Sequence, residues 1–321
     1  MPPRCLMNKK RCNPLPATQR RFGAHVSVSG GLHTAFERAV AAGCDVIQVF
    51  VKNQRQWRAR PLGEVEIEAW QQARRQAGIE TVFAHDTYLI NLAAPGDTIW
   101  RQSITAFHDE LLRCEQLGIV GLVAHPGAHM GAGEAAGIRR IAMALDLVHK
   151  QTEGFRVKTL LEITAGQGTS IGHRFEHIAA IIDLVQHPER IGVCFDTCHA
   201  FAAGYELRTA EGYAQTMETF ARVIGLERIR CFHINDSLKP LGSRVDRHAA
   251  IGKGCLGRAA FRHIINDSRF FGLPMLIETP KGVDERGRDL DRLNISTLRR
   301  LVAGKKPTSR KPPADRPRRL D

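Results

Sequence analysis

The chain has 321 residues, of which 43% are hydrophobic, 25% charged and 6% aromatic, an ordinary soluble-globular balance for one large α/β domain or two smaller ones. No apolar run approaches the roughly 18 residues of a membrane span, and residues 1–21 lack the apolar core of a secretory signal. Eight cysteines without a CxxC pair make neither a disulfide framework nor a zinc ribbon, so a reducing, cytoplasmic setting is expected.

The net charge of +13 is unevenly spread. Residues 1–21 carry six basic and no acidic side chains, and residues 303–321 carry seven basic and two acidic, whereas the segment 22–302 is close to neutral at +2. Both ends are Pro-rich and are expected to be disordered tails flanking one domain at 22–302. Such tails suit a polyanion such as nucleic acid, held through counterion release, or serve solubility alone. The first also has a transit peptide's composition, without its amphipathic stripe.

In chain order, apolar runs fall at 23–27, 45–51, 81–85, 119–125, 159–163, 191–196, 229–235 and 273–278. They are continuous rather than alternating, as in strands of a parallel sheet covered on both faces. Helical patterns intervene at 31–42, 64–77, 98–117, 134–151 and 173–186, with Ile178, Ile181, Ile182 and Val185 at helical spacing. Eight strand–helix units in this length predict an α/β fold, a (β/α)8 TIM barrel with its active site at the C-terminal rim of the strands. A doubly wound open sheet is the competitor, weakened because no GxGxxG follows the first strand and no P-loop occurs.

The strand ends carry the chemistry. Runs three to eight bring His85, His125, Glu162, Asp196, His233 and Glu278, one per unit, at separations of 40, 37, 34, 37 and 45 residues. Six ionisable groups on one rim need compensation, because each buried unpaired charge costs several kcal/mol, and divalent cations supply it. His199, three residues past Asp196, and the Asp246-Arg-His248 pair add three more donors. Nitrogen and carboxylate ligands suit zinc, manganese or iron, and nine donors suffice for two or three ions if one carboxylate bridges. Cys194 and Cys198 are read as packing residues. His25 and His129 are expected to orient ligands, and His33, His108, His149, His173, His177, His187 and His263 to lie on helix surfaces or caps. A multinuclear cluster of this kind points to phosphoester hydrolysis, with no GxSxG elbow to compete.

These motifs, His85-Asp-Thr-Tyr88, His125-Pro-Gly-Ala-His129, Glu162-Ile-Thr-Ala-Gly-Gln-Gly168, Asp196-Thr-Cys-His199, His233-Ile-Asn-Asp236, Asp246-Arg-His248 and Lys52-Asn-Gln-Arg-Gln-Trp57, resemble the endonuclease IV family of apurinic/apyrimidinic endonucleases, in order and at similar spacing from Phe22 to Glu278. The resemblance implies a DNA-repair enzyme with three zinc ions. His85, His125 and Glu162 would hold the first, Glu162 would bridge to a second completed by Asp196, His233 and Glu278, and His199, Asp246 and His248 would hold the third. It implies water attack on the phosphodiester 5′ to an abasic site in double-stranded DNA, leaving a 3′-hydroxyl and a 5′-deoxyribose phosphate, and removal of 3′-blocking groups by a monomer. Asn53, Gln54, Arg55, Trp57, Tyr88 and Leu89 would contact the DNA, with Arg55 and Tyr88 filling the gap left by a flipped nucleotide. Three positions depart from the family: Ile163 where Asn is usual, Leu238 ahead of Lys239, and Lys253 where Glu is commoner. The other readings carried forward are a sugar isomerase or epimerase on the same barrel and a DNA-binding module without catalysis.

Overall fold

The computed structural model describes residues 20–303. The predicted tails therefore lie almost wholly outside the described residues, with Arg20, Arg21 and Ala303 as exceptions. Arg21 is not tail. It opens the first strand, and its guanidinium donates to Gly272 O and Thr81 Oγ1, both at 3.0 Å, which ties the bottom of the barrel together.

The eight predicted runs form β1 (Arg21–His25), β2 (Val46–Val49), β3 (Val82–His85), β4 (Gly121–Ala124), β5 (Lys158–Glu162), β6 (Ile191–Asp196), β7 (Ile229–His233) and β10 (Pro274–Ile277). All neighbours pair in parallel, and β1 pairs with both β2 and β10, so the sheet closes and the open-sheet alternative is excluded. Between them run α1 (Thr34–Ala42), α2 (Glu64–Ala77), α3 (Asp97–Leu117), α4 (Glu134–Gln151), α5 (Phe175–Leu184), α6 (Thr197–Ala203), α7 (Ala210–Val223), α8 (Gly257–Asn266) and α9 (Leu290–Leu301). A two-residue pair, β8 (Asp236–Ser237) and β9 (His248–Ala249), runs antiparallel above β7.

The closed sheet resolves the continuous apolar runs into two sides. Outward residues such as Ile47, Leu122, Phe195 and Phe232 join the large core beneath the helices. Val46, Phe83, Val123, Leu160, Cys194, Cys231 and Leu276 form a separate cluster, one from each of seven strands, filling the barrel's centre. The eighth strand supplies Gly23, where an added Cβ would stand 1.6 Å from Val46 O, so no side chain fits. Because side chains alternate along a strand, the residue two places beyond each member of this layer points the same way, one storey nearer the rim. Those residues are His25, Gln48, His85, His125, Glu162, Asp196, His233 and Glu278.

Three of the histidines expected on helix surfaces or caps are buried: two near the start of α5 and one facing inward on α4. His173 and His177 stand at the start of α5, where His177 Nε2 meets Glu134 at 3.2 Å and Nδ1 accepts from Gly172 N. His149, on α4, packs inward with Nε2 3.0 Å from Thr159 Oγ1. Burial, then the nearby Arg190 charge, drive its pKa down to about 3. A histidine held neutral in the fold but protonated in the unfolded chain costs stability in acid. Stability is expected to fall as pH drops from about 6.5 toward about 3, and denaturant melts of His149→Gln should show a shallower acid limb than the parent.

Candidate metal centre

Each ligand candidate reaches the rim by a local device. β3, β5, β6 and β7 end on His85, Glu162, Asp196 and His233. Asp196 is also the N-cap of α6, accepting from His199 N at 2.7 Å, so the helix begins with His199 turned back over the strand end. The β8–β9 pair returns the chain after β7, which brings Asp246 and His248 to the same mouth.

The structure brings all nine predicted donors together. Glu162 lies at the centre, fully buried. Its Oε2 is 3.1 Å from His85 Nε2 and 3.3 Å from His125 Nε2, and its Oε1 is 2.9 Å from His233 Nδ1 and 3.2 Å from His199 Nδ1. His233 Nδ1 is also 3.2 Å from Glu278 Oε2 and 3.8 Å from Asp196 Oδ2. His199 Nε2 is 3.1 Å from Asp246 Oδ2, and His248 Nε2 is 3.4 Å from Asp246 Oδ1 and 3.8 Å from Asp196 Oδ2.

The opposite ring nitrogens decide what these contacts are for. His85 Nδ1 faces Asp86 O at 2.8 Å, His199 Nδ1 faces Ile163 O at 3.0 Å, His248 Nδ1 faces Glu278 O at 3.2 Å, and His233 Nε2 faces Gln48 Oε1 at 2.9 Å. A nitrogen facing a carbonyl oxygen carries the hydrogen, which leaves the other nitrogen's lone pair aimed at the carboxylates, the arrangement of metal-ligating histidines. His199 Nε2 and His248 Nε2 are buried and make no hydrogen bond. Donors around a tetrahedral zinc at about 2.0–2.1 Å stand roughly 3.3 Å apart, the spacing observed. The donors present thus fit divalent cations. They fall into compact groups, among them His85–His125–Glu162 and Asp196–His199–His248.

Electrostatics agree. Burial opposes charge on every group, yet the His233 and His125 rings hold Glu162 well below the usual carboxylate range. Burial likewise works against His85 and His199, but the surrounding carboxylates raise both well above the ordinary imidazole range, and His233 to about 10. Protons thus stand where cations would. Cys194 packs inside the barrel and Cys198 donates toward Arg247 O at 3.8 Å; burial pushes the Cys198 thiol up to about 12, in line with packing roles.

Supporting residues were only partly foreseen. His25 Nδ1 lies 3.2 Å from Glu278 Oε1, as expected of an orienting residue. His129 does something else: its Nδ1 accepts from Gly131 N and Gly133 N and staples the loop after β4. Gln48 and Asn235 were missed. Gln48 Nε2 donates to Glu278 Oε1 at 2.7 Å while its Oε1 takes the His233 proton. Asn235 Nδ2 donates to Asp196 Oδ2 at 2.7 Å, and its Oδ1 accepts from Glu278 N. Gln48 was findable from register, two residues beyond the inward Val46. Ile163 buries its side chain in the core and lends its carbonyl to His199, whereas Leu238 and Lys253 are exposed.

The centre opens into a cleft of about 630 Å³, whose lining includes Asn53, Gln54 and Arg55 from the loop after β2 and Tyr88 from the loop after β3. Tyr88 is 74% exposed, its ring 5.9 Å from Phe50. Trp57 and Leu89 do not line the cleft; both are half-buried, Trp57 against the core.

Buried nitrogen and oxygen donors on the C-terminal rim of a parallel barrel place the chain among metal-dependent TIM-barrel enzymes. Residues 36–296 match the family described as "Xylose isomerase-like TIM barrel", AP_endonuc_2. The chain is 53% identical over 284 residues to "Probable endonuclease 4" of Chloroflexus aurantiacus, covering 88% of this chain and 99% of that one. Endonuclease IV of Thermus thermophilus superposes with a TM-score of 0.76 at 34% identity, covering 88% and 98% of the two chains. A D-tagatose 3-epimerase-like protein shares the fold, with a TM-score of 0.66 at 16% identity over 87% and 96%. The chain belongs to the endonuclease IV family and is a metal-dependent nuclease.

Proposed function

We propose that the protein is a DNA-repair endonuclease that cuts the phosphodiester 5′ to an abasic site in double-stranded DNA, working as a monomer in the cytoplasm with three zinc ions. The single observation that carries this reading is the set of histidines whose hydrogen-bearing nitrogens are tied to carbonyl oxygens, so that their lone pairs converge on four carboxylates.

His85, His125 and Glu162 would hold one ion, Glu162, Asp196, His233 and Glu278 a second, and His199, Asp246 and His248 a third. Zinc held there supplies Lewis acidity, lowering the pKa of water and offsetting negative charge on the phosphate. Glu162 is suited to bridging because its two oxygens face different histidines. Gln48 and Asn235 hold Glu278 and Asp196 in place. Water attacks phosphorus and the bond to O3′ breaks, leaving a 3′-hydroxyl and a 5′-deoxyribose phosphate; the same attack removes 3′-blocking groups. Arg55 and Tyr88, both exposed and lining the cleft, would fill the space vacated by the flipped nucleotide, with Asn53 and Gln54 beside them. Trp57 and Leu89 would act by supporting these loops. The basic ends would add nonspecific attraction to DNA. No helix among the described residues is long and apolar enough to cross a membrane.

The test is incision of a duplex carrying one tetrahydrofuran site by the metal-replete protein, with the undamaged duplex as control; no incision by folded protein rejects the proposal. A sugar epimerase needs fewer donors and no basic loop at the cleft, so the Asp246–His248 pair and Arg55 argue against it. Arg55→Ala is expected to raise KM for the damaged duplex roughly tenfold with kcat changed less than about twofold, read from steady-state incision rates.

A further inference from the structure

The loops carrying Arg55 and Tyr88 leave different strands, yet one buried side chain grips both. Glu110, on α3, is fully buried. Its Oε1 accepts from Thr87 Oγ1 at 2.9 Å and pairs with Lys52 Nζ at 3.2 Å. Lys52, whose side chain is also fully buried, begins the Arg55 loop, and Thr87 immediately precedes Tyr88. Lys52 Nζ further donates to Trp57 O at 3.3 Å, inside the same loop. One turn along α3, Arg113 donates to Arg60 O at 2.5 Å at the loop's far end, and is itself fixed by Asp109 at 2.8 Å. The segment 52–60 is therefore held at its start, middle and end by α3 and by Lys52.

Burial raises the Glu110 carboxyl to about 8 in spite of the Lys52 ammonium beside it. A buried pair of this kind gains little stability over apolar residues of the same volume, and Glu110 Oε2 is buried with no hydrogen bond at all. Stability alone does not account for it. We propose that Glu110 is a positioning residue that sets the spacing between the Arg55 and Tyr88 loops, and so the fit of the cleft to damaged duplex. Its hydrogen-bond and ion-pair partners are Thr87 and Lys52, neither of them among the nine metal-ligand candidates. The proposal rests on the reading that these loops meet DNA.

The test compares the parent with Glu110→Gln, Thr87→Val and the double variant Lys52→Met/Glu110→Met. The measurements are metal content, kcat and KM on the tetrahydrofuran duplex, melting temperature, and the rate of trypsin cleavage after Arg55 and Arg58. In Glu110→Gln, KM is expected to rise about tenfold, with kcat within about twofold, metal content unchanged and cleavage of the loop faster. The double variant should regain the parent's melting temperature without regaining its KM, a split that a merely structural role would not produce. Parental KM and trypsin resistance in Glu110→Gln, or a KM restored along with stability in the double variant, would overturn the proposal. If Glu110→Gln does not fold, Thr87→Val decides: the Lys52 pair survives there, and a KM raised about threefold supports the coupling while an unchanged KM refutes it. Should the parent fail to incise the duplex, the functional proposal falls, and the trypsin rates still decide whether Glu110 holds the loop.

Discussion

Glu162→Gln is expected to lower incision of an abasic duplex by on the order of 10³-fold or more while the protein stays folded. The amide keeps the side chain's shape at the barrel axis, where both oxygens of Glu162 are buried among four histidines. It removes the negative charge those rings surround, and an amide is a poor bridge between two cations. Single-turnover rates on the tetrahydrofuran duplex, with circular dichroism as the check on folding, measure the effect. Turnover within tenfold of the parent would mean that Glu162 does not bridge.

Stripping the metal with a chelator is the second large effect. Incision is expected to vanish and to return on adding zinc, and the stripped chain should depend on pH in a way the loaded chain does not. In the metal-free centre His85, His199 and His233 are held above their ordinary pKa by the carboxylates, against burial that works the other way. A histidine whose folded pKa is raised contributes stability that is complete below about 6.5 and lost as pH climbs through the folded value, which for His233 is about 10. Glu162 and Glu278 are held low against the same burial, so their contribution is lost only in acid. Stripped protein should thus lose stability between neutral pH and about 10, and zinc binding should release protons. A stripped chain with a flat alkaline profile would contradict this charge distribution.

Much of this centre was legible because a parallel barrel repeats. Every β/α unit returns a strand end to one rim, so donors recurring once per unit had to meet there. The two-residue stagger between the central apolar layer and the donor layer, Phe83 to His85 or Leu160 to Glu162, makes the ligand positions a matter of register. Gln48 escaped notice because an uncharged amide within an apolar run looks like neither ligand nor core. The burial of His149, His173 and His177 was not legible, because helix composition does not say which face a neighbouring helix or strand covers. The two-residue strands β8 and β9 are too short for any periodicity, although the Asp246–His248 pair they deliver could be read. The grip of Glu110 on Lys52 and Thr87 joins two successive β/α units, and no local pattern encodes it. Trp57 is expected among the DNA-contacting residues; in the structure its ring packs against the core while its carbonyl accepts from Lys52, both of which anchor the loop.

The most direct test of the account is to count metal ions on the purified full chain by elemental analysis, beside the variant Asp246→Asn/His248→Asn. Three zinc ions per chain, falling to two in the variant with incision much reduced, is the result expected. One ion per chain in a fully active parent, or an unchanged count in the variant, would contradict the claim that nine side chains from the barrel's rim hold a trinuclear centre.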